Sequence, residues 1–182
     1  MEAQLPALEA IAVAMTGALR AGGKILWCGN GGSAAESQHL AAELVGRFRR
    51  ERSGLASIAL TTDTSILTAL ANDYGYDAVF SRQVEALGKP GDLLVGISTS
   101  GDSRNVIAAL EAARGRGLVT VAFSGEGGGK MATMADYLFA VASRDTARVQ
   151  EAHTLAGHLL CDWIELAFFS AQPGGSESAA AR

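Results

Sequence analysis

Histidine and cysteine are scarce in this 182-residue chain, with three and two of each. Cys28 and Cys161 lie far apart in apolar segments, which excludes a disulfide-stapled scaffold. They are expected as buried free thiols in a reducing cytoplasm. Positive charge is also short. The net charge is −4 and no basic cluster or stripe stands out, which argues against nucleic acid as the main partner. A small anion held by backbone amides is not excluded. No apolar run approaches the ~20 residues of a membrane span, so no membrane partner is expected. The N-terminus mixes Glu2, Glu9 and Arg20 into its apolar residues and has no basic n-region, so it reads as a folded helix rather than a signal peptide. There is no internal repeat and no linker. One domain is expected over residues 1–171, and the polar, small-residue stretch 172–182 is expected as a disordered tail.

What is present is an alternation of apolar runs and amphipathic segments, in a chain 48% hydrophobic and 19% charged. Residues 5–21 carry Leu5, Leu8, Ile11, Ala12, Met15 and Leu19 on one helical face. Strand candidates are 24–29, 55–62, 92–98, 118–124 and 136–142. Helices are predicted over 33–47, over 64–88 in two pieces broken around 72–77, over 103–116, near 130–135 and over 146–170. The strands read as continuous apolar runs, as strands buried on both faces do. The alternation predicts a three-layer, doubly wound α/β domain with a five-stranded parallel sheet. In such a sheet ligands sit at the carboxyl ends of the strands, where strand order reverses.

Two loops at strand ends are distinctive. "GNGGSAAES" follows the first strand. Gly29, Gly31 and Gly32 permit close approach to the backbone, and Ser33 with Glu36 has the spacing of a capping box. Equally, the loop fits a tight turn with no ligand. "STSGDSRNV" follows the third strand. Ser98, Thr99, Ser100 and Ser103 surround Gly101 just before a helix N-terminus, where free N–H groups and a partial positive charge favour an anion. Three hydroxyls exceed what capping requires, so a phosphate monoester is expected here. Neither loop carries the lysine of a P-loop or the G-x-G-x-x-G turn, which argues against a nucleotide.

The acid–base candidates begin with His39 and Glu43, four apart on one helix face. They suit either a shared divalent ion or an ordinary surface pair. His153 and His158 lie on the last helix with Gln150. Gln150 and His158 are separated by ~12 Å along a straight helix and ~80° around it. Sharing one ligand would take long side chains, a bend, or two copies of the site. His153 reads as a structural or supporting residue.

Together, "CGNGGSAAESQHLAAELVGRF", "TTDTSILTALANDYGYD", "ISTSGDSRNV" and "VQEAHTLAGH" resemble the bacterial phosphoheptose isomerases, sedoheptulose 7-phosphate isomerases of the sugar-isomerase (SIS) domain superfamily. The resemblance runs in order through residues 8–170. It implies a flavodoxin-like fold and a homotetramer with active sites at subunit interfaces. It implies phosphate contacts from Ser98, Ser100 and Ser103 with Thr99 supporting, and sugar contacts from Asn30, Gly31, Gly32, Asn72 and Asp73. It implies one zinc per active site on His39, Glu43, Gln150 and His158, with Gln150 also near substrate, Glu43 as base and His158 as acid. The implied reaction converts sedoheptulose 7-phosphate to D-glycero-D-manno-heptose 7-phosphate through an enediol, at the start of nucleotide-activated heptose synthesis. Two other readings stay open: a non-enzymatic SIS protein that binds the replication initiator, and an isomerase or sensor for another phosphosugar. Members of the family usually carry about one more helix before residue 5, so tetramer packing and site closure are where this chain is expected to depart.

Overall fold

The computed structural model describes residues 2–169; the tail expected at 172–182 lies outside them. The strands are β1 (Ile25–Gly29), β2 (Ser57–Ala59), β3 (Leu93–Ser98), β4 (Val119–Ser124) and β5 (Tyr137–Ala140). They form one parallel sheet in the order β2-β1-β3-β4-β5. The helices are α1 (Leu5–Arg20), α2 (Gly32–Val45), α3 (Thr64–Tyr74), α4 (Ser81–Leu87), α5 (Arg104–Gly115) and α6 (Thr146–Phe169).

Period-two alternation splits each central strand between two cores. Ile25, Trp27, Leu93, Val95, Ile97, Val121 and Phe123 face the layer of α1, α2 and α6. Leu26, Cys28, Leu94 and Ala122 face α4 and α5. Both faces are covered, so β1 and β3 are buried at every position. That is why they read as unbroken apolar runs. At the opposite end of the sheet Asp92 ties the strand starts together. It accepts from Lys24 N (2.9 Å), Lys24 Nζ (2.5 Å) and Lys89 N (2.8 Å).

Two expectations shift in detail, and a third, the break around 72–77, is met. Strand β2 is only Ser57–Ala59, an edge strand with Ile58 exposed. The segment near 130–135 is a 3-10 turn over Gly129–Thr133. The break in 64–88 falls at Gly75, where φ of +85° ends α3 and a 3-10 turn over Tyr76–Ala78 follows. None of the residues of α3 is buried, although Ile66, Leu67 and Leu70 lie on it. Strand order reverses between β1 and β3, so the β1–α2 and β3–α5 loops face each other across the cleft the fold reserves for ligands.

Candidate active site

Two groups of residues converge near that cleft. The first is a cradle of about 290 Å³. The β1–α2 turn gives it Asn30, Gly31, Gly32 and Ser33; the β3–α5 loop gives Ile97, Ser98, Thr99 and Ser103; α6 gives Thr146 and Gln150. Three helix N-termini, those of α2, α5 and α6, thus open on one small space, and each brings partial positive charge. Gly31 caps α2 with φ +57° and ψ −119°, a conformation that side chains resist.

Ser103 stands at the N-cap of α5, but its hydroxyl makes no cap bond to the helix. It bonds Ser98 Oγ at 2.8 Å instead, and Ser98 Oγ lies 3.3 Å from Ser100 Oγ. The hydroxyls are therefore gathered together and Ser103 does not cap α5, although Val106 N in its first turn donates to Asn105 Oδ1 (3.0 Å). Such an arrangement suits a multivalent oxyanion better than it suits helix capping.

The expected capping box at Ser33 and Glu36 does not form. Gly31 is the N-cap, and no side chain caps α2. Glu36 is turned instead into the seam between α2 and α6. There Oε1 is buried without a partner, and burial pushes the carboxyl up to about 8, against the pull of Thr154 beside it. Burial by α6 overrides the local pattern.

Asn30 is held by a reciprocal amide pair with buried Asn105, at 2.8 and 2.9 Å. Tyr76 Oη donates to Asn30 Oδ1 at 3.1 Å. Neither partner was singled out in the sequence, although Asn105 follows directly on the serine loop. Asn72 and Asp73 do not line the cradle. They sit exposed at the end of α3 and bond each other (2.8 Å). From that segment it is Tyr76 that touches the cradle residues.

The second group joins α2 to α6. His39 Nε2 lies 2.8 Å from His158 Nε2 and 3.7 Å from Glu43 Oε1. The rings of His39 and His158 meet edge-on at 5.1 Å, and Phe48 lies against His158 at 5.3 Å. The side chain of His39 is 45% exposed and that of Glu43 22%, so the group opens to solvent. Two imidazole nitrogens and a carboxylate are a fitting donor set for zinc. Among the described residues, no three His, Cys, Asp or Glu side chains are already arranged as a metal site.

Helices α2 and α6 run side by side in the same direction. Gln150 packs on Gly32 at one end, and Gly157 packs on Leu40 at the other. Gln150 therefore belongs to the cradle, ~12 Å along α6 from His158, and within one chain it does not join His39, Glu43 and His158. His153 is fully buried. Its Nε2 lies 3.1 Å from the Ser124 carbonyl, its ring packs on Phe123 and Phe139, and burial lowers its pKa despite that hydrogen bond. It is a neutral core residue.

A larger groove of about 610 Å³ lies between α1 and α6, lined mainly by apolar groups such as Val13 and Trp163. It shares no residue with either group.

Comparison with known proteins agrees with this geometry. A family model described as SIS domain matches residues 1–125. A phosphoheptose isomerase of Roseiflexus sp. is 57% identical over 169 residues, covering 93% of this chain and 86% of that protein. The structure of phosphoheptose isomerase GmhA from Neisseria gonorrhoeae superposes with a TM-score of 0.85 at 51% identity, covering 90% of this chain and 87% of that one. A phosphoheptose isomerase from Francisella tularensis gives 0.86 at 41% identity, covering 88% and 86%. With a parallel sheet in flavodoxin order, a serine cradle at its switch point and an imidazole–carboxylate group beside it, the chain belongs to the phosphoheptose isomerase family of SIS-domain proteins.

Proposed function

We propose that this chain is an aldose–ketose isomerase that converts sedoheptulose 7-phosphate to D-glycero-D-manno-heptose 7-phosphate, the entry to nucleotide-activated heptose synthesis. The observation that carries the reading is the pairing of an anion cradle with an imidazole–carboxylate group along two adjacent helices, α2 and α6. The 7-phosphate sits among Ser98, Thr99, Ser100, Ser103 and the helix N-termini. Asn30, Gly31, Gly32 and Gln150 contact the sugar, whereas Asn72 and Asp73 stand away from this chain's cradle. Anchoring the remote phosphate orients C1 and C2 with binding energy from outside the reacting centre.

Isomerisation moves one proton between C1 and C2 and one between their oxygens. Glu43 Oε1 faces His39, which leaves Oε2 as the acceptor for the C1 proton and its donor back to C2. His158 exchanges the proton on oxygen. Positioned groups of this kind each contribute about 10²–10⁴-fold. His39, Glu43 and His158 would hold one zinc per site; Gln150, ~12 Å along α6 in the cradle, does not complete that set within one chain. When bound, zinc supplies Lewis-acid stabilisation of negative charge on the enediolate oxygen.

The active unit in this reading is a homotetramer with sites at subunit interfaces. The exposure of the outer face of α3, whose other face packs Leu67, Leu70 and Ala71 on the core, and of Val13, Ile66, Tyr74, Tyr76 and Leu155, favours burial against other copies. The described residues contain no helix long and apolar enough to cross a membrane. Cys28 and Cys161 are both free and buried, which suits the cytoplasm.

Incubation of the purified protein with sedoheptulose 7-phosphate, followed by NMR, is expected to yield the aldose heptose 7-phosphate, and metal analysis to yield one zinc per chain. Recovery of unchanged ketose from zinc-replete protein would overturn the reading. Capture of the replication initiator by the same inactive protein would then favour the non-enzymatic alternative.

A further inference from the structure

The arginine-rich segment 47–52 is anchored on a buried carboxylate that the chemistry above does not use. Glu165 lies on α6 two turns beyond His158 and is wholly buried. Its Oε1 accepts from Phe48 N (2.8 Å), and its Oε2 accepts from Arg49 N (2.8 Å) and Arg50 N (2.9 Å). Arg52 Nε stands 3.2 Å from Oε1 without aiming its N–H at it, so this contact is an ion pair rather than a hydrogen bond. The terminal nitrogens of Arg52 reach the other way. They donate to the carbonyls of Glu43 (2.9 Å), Leu44 (2.8 Å) and Gly46 (3.0 Å), at the last turn of α2.

One carboxylate thus fixes the backbone that carries Phe48, whose ring lies against His158. Through Arg52 the same carboxylate fastens the helix end that carries Glu43. A buried charge is costly unless every lone pair is used, and a connection from α2 to β2 does not require one. The geometry points to Glu165 as a positioning residue for the Glu43–His158 pair, holding the two reacting side chains at a set separation from behind. This inference rests on the reading of that pair as base and acid.

The test uses the zinc-loaded full chain and two variants. E165Q keeps the shape but turns an amide donor toward backbone N–H groups. F48L leaves the clamp intact and removes the ring from His158. Groups that support metal ligands or reacting residues in this way typically change affinity or activity by about 10–100-fold. E165Q is expected to lower kcat by about that factor. Its KM for sedoheptulose 7-phosphate should stay within about twofold, since no cradle residue bonds the loop. Chelator competition should show zinc held about tenfold more weakly. In zinc-free protein the His158 imidazole NMR signals should move while those of His153 stay. F48L should act in the same direction, more weakly.

An E165Q protein that melts earlier yet keeps the parent's kcat, zinc affinity and His158 signals overturns the proposal. Should E165Q not fold, F48L decides: unchanged kcat with unchanged His158 signals overturns it equally. A parent that neither isomerises nor binds zinc sinks the functional reading instead, and the His158 signals still decide whether Glu165 sets that ring.

Discussion

The cradle and the histidine group are built by opposite means. The cradle is loop backbone, small side chains and three helix ends, and its hydroxyls satisfy one another within a few residues of sequence. The histidine group is three long side chains on two helices, half open to solvent, and its support comes from more than a hundred residues away in the chain. The serine hydroxyls are therefore set by local sequence, and the histidine group by a tertiary contact between α2 and α6. Substitutions in the first region should act on KM, and substitutions in the second on kcat.

The hardest test of that division is Glu43→Gln. It removes the base while leaving shape and cradle alone, so kcat should fall by about 10²–10⁴-fold or more, while binding of inorganic phosphate, followed by calorimetry, should survive. Near-normal turnover by this variant removes Glu43 from the base role. Next comes Gly101→Ala. Gly101 has φ +70°, and a Cβ there would lie 2.1 Å from the Gly128 carbonyl oxygen. The serine loop must shift as a unit, and phosphate affinity should drop by at least about tenfold, on the order of 1.4 kcal/mol, with some loss of stability. Ser103→Ala is milder. It deletes one hydroxyl and should raise KM roughly three- to tenfold with kcat nearly unchanged. A fall in kcat alone would blur the distinction between the two regions.

The same contrast explains what could be read from sequence. The five strands and their helices were legible because burial on both faces leaves a one-dimensional trace. The serine loop was legible because all its parts are sequence neighbours. Asn105 and Tyr76 were missed because their partner, Asn30, is distant in the chain. The arginines at 47–52 were passed over as no basic cluster, yet four of those six residues are arginine. Arg49 and Arg50 pair with Asp162, Arg52 with Glu165 and Arg47 with Glu51. Their charge is directed inward and sideways onto acids, most of them on α6, which no local pattern reveals. The capping box failed for the same reason: Glu36 has the right spacing, but α6 lies over it.

Glu36 offers the smallest effect on turnover and separates stability from chemistry. Its folded-state pKa is raised to about 8 by burial, whereas an unfolded glutamate titrates near ~4.3. The native chain therefore holds a proton that the unfolded chain has released across that interval. By linkage, stability contributed by the protonated form is full below pH ~4.3 and is lost as pH rises toward about 8. Thermal melting of the parent should show this decline, on the order of ten degrees across the whole interval. Glu36→Gln, which mimics the neutral acid, should flatten it and melt higher at pH 8. Because Glu36 lies between the two regions without belonging to either, kcat and KM at pH 7 should both stay near the parent's values. A large change in kcat with an unaltered melting profile would mean that the seam between α2 and α6 carries protons as well as structure.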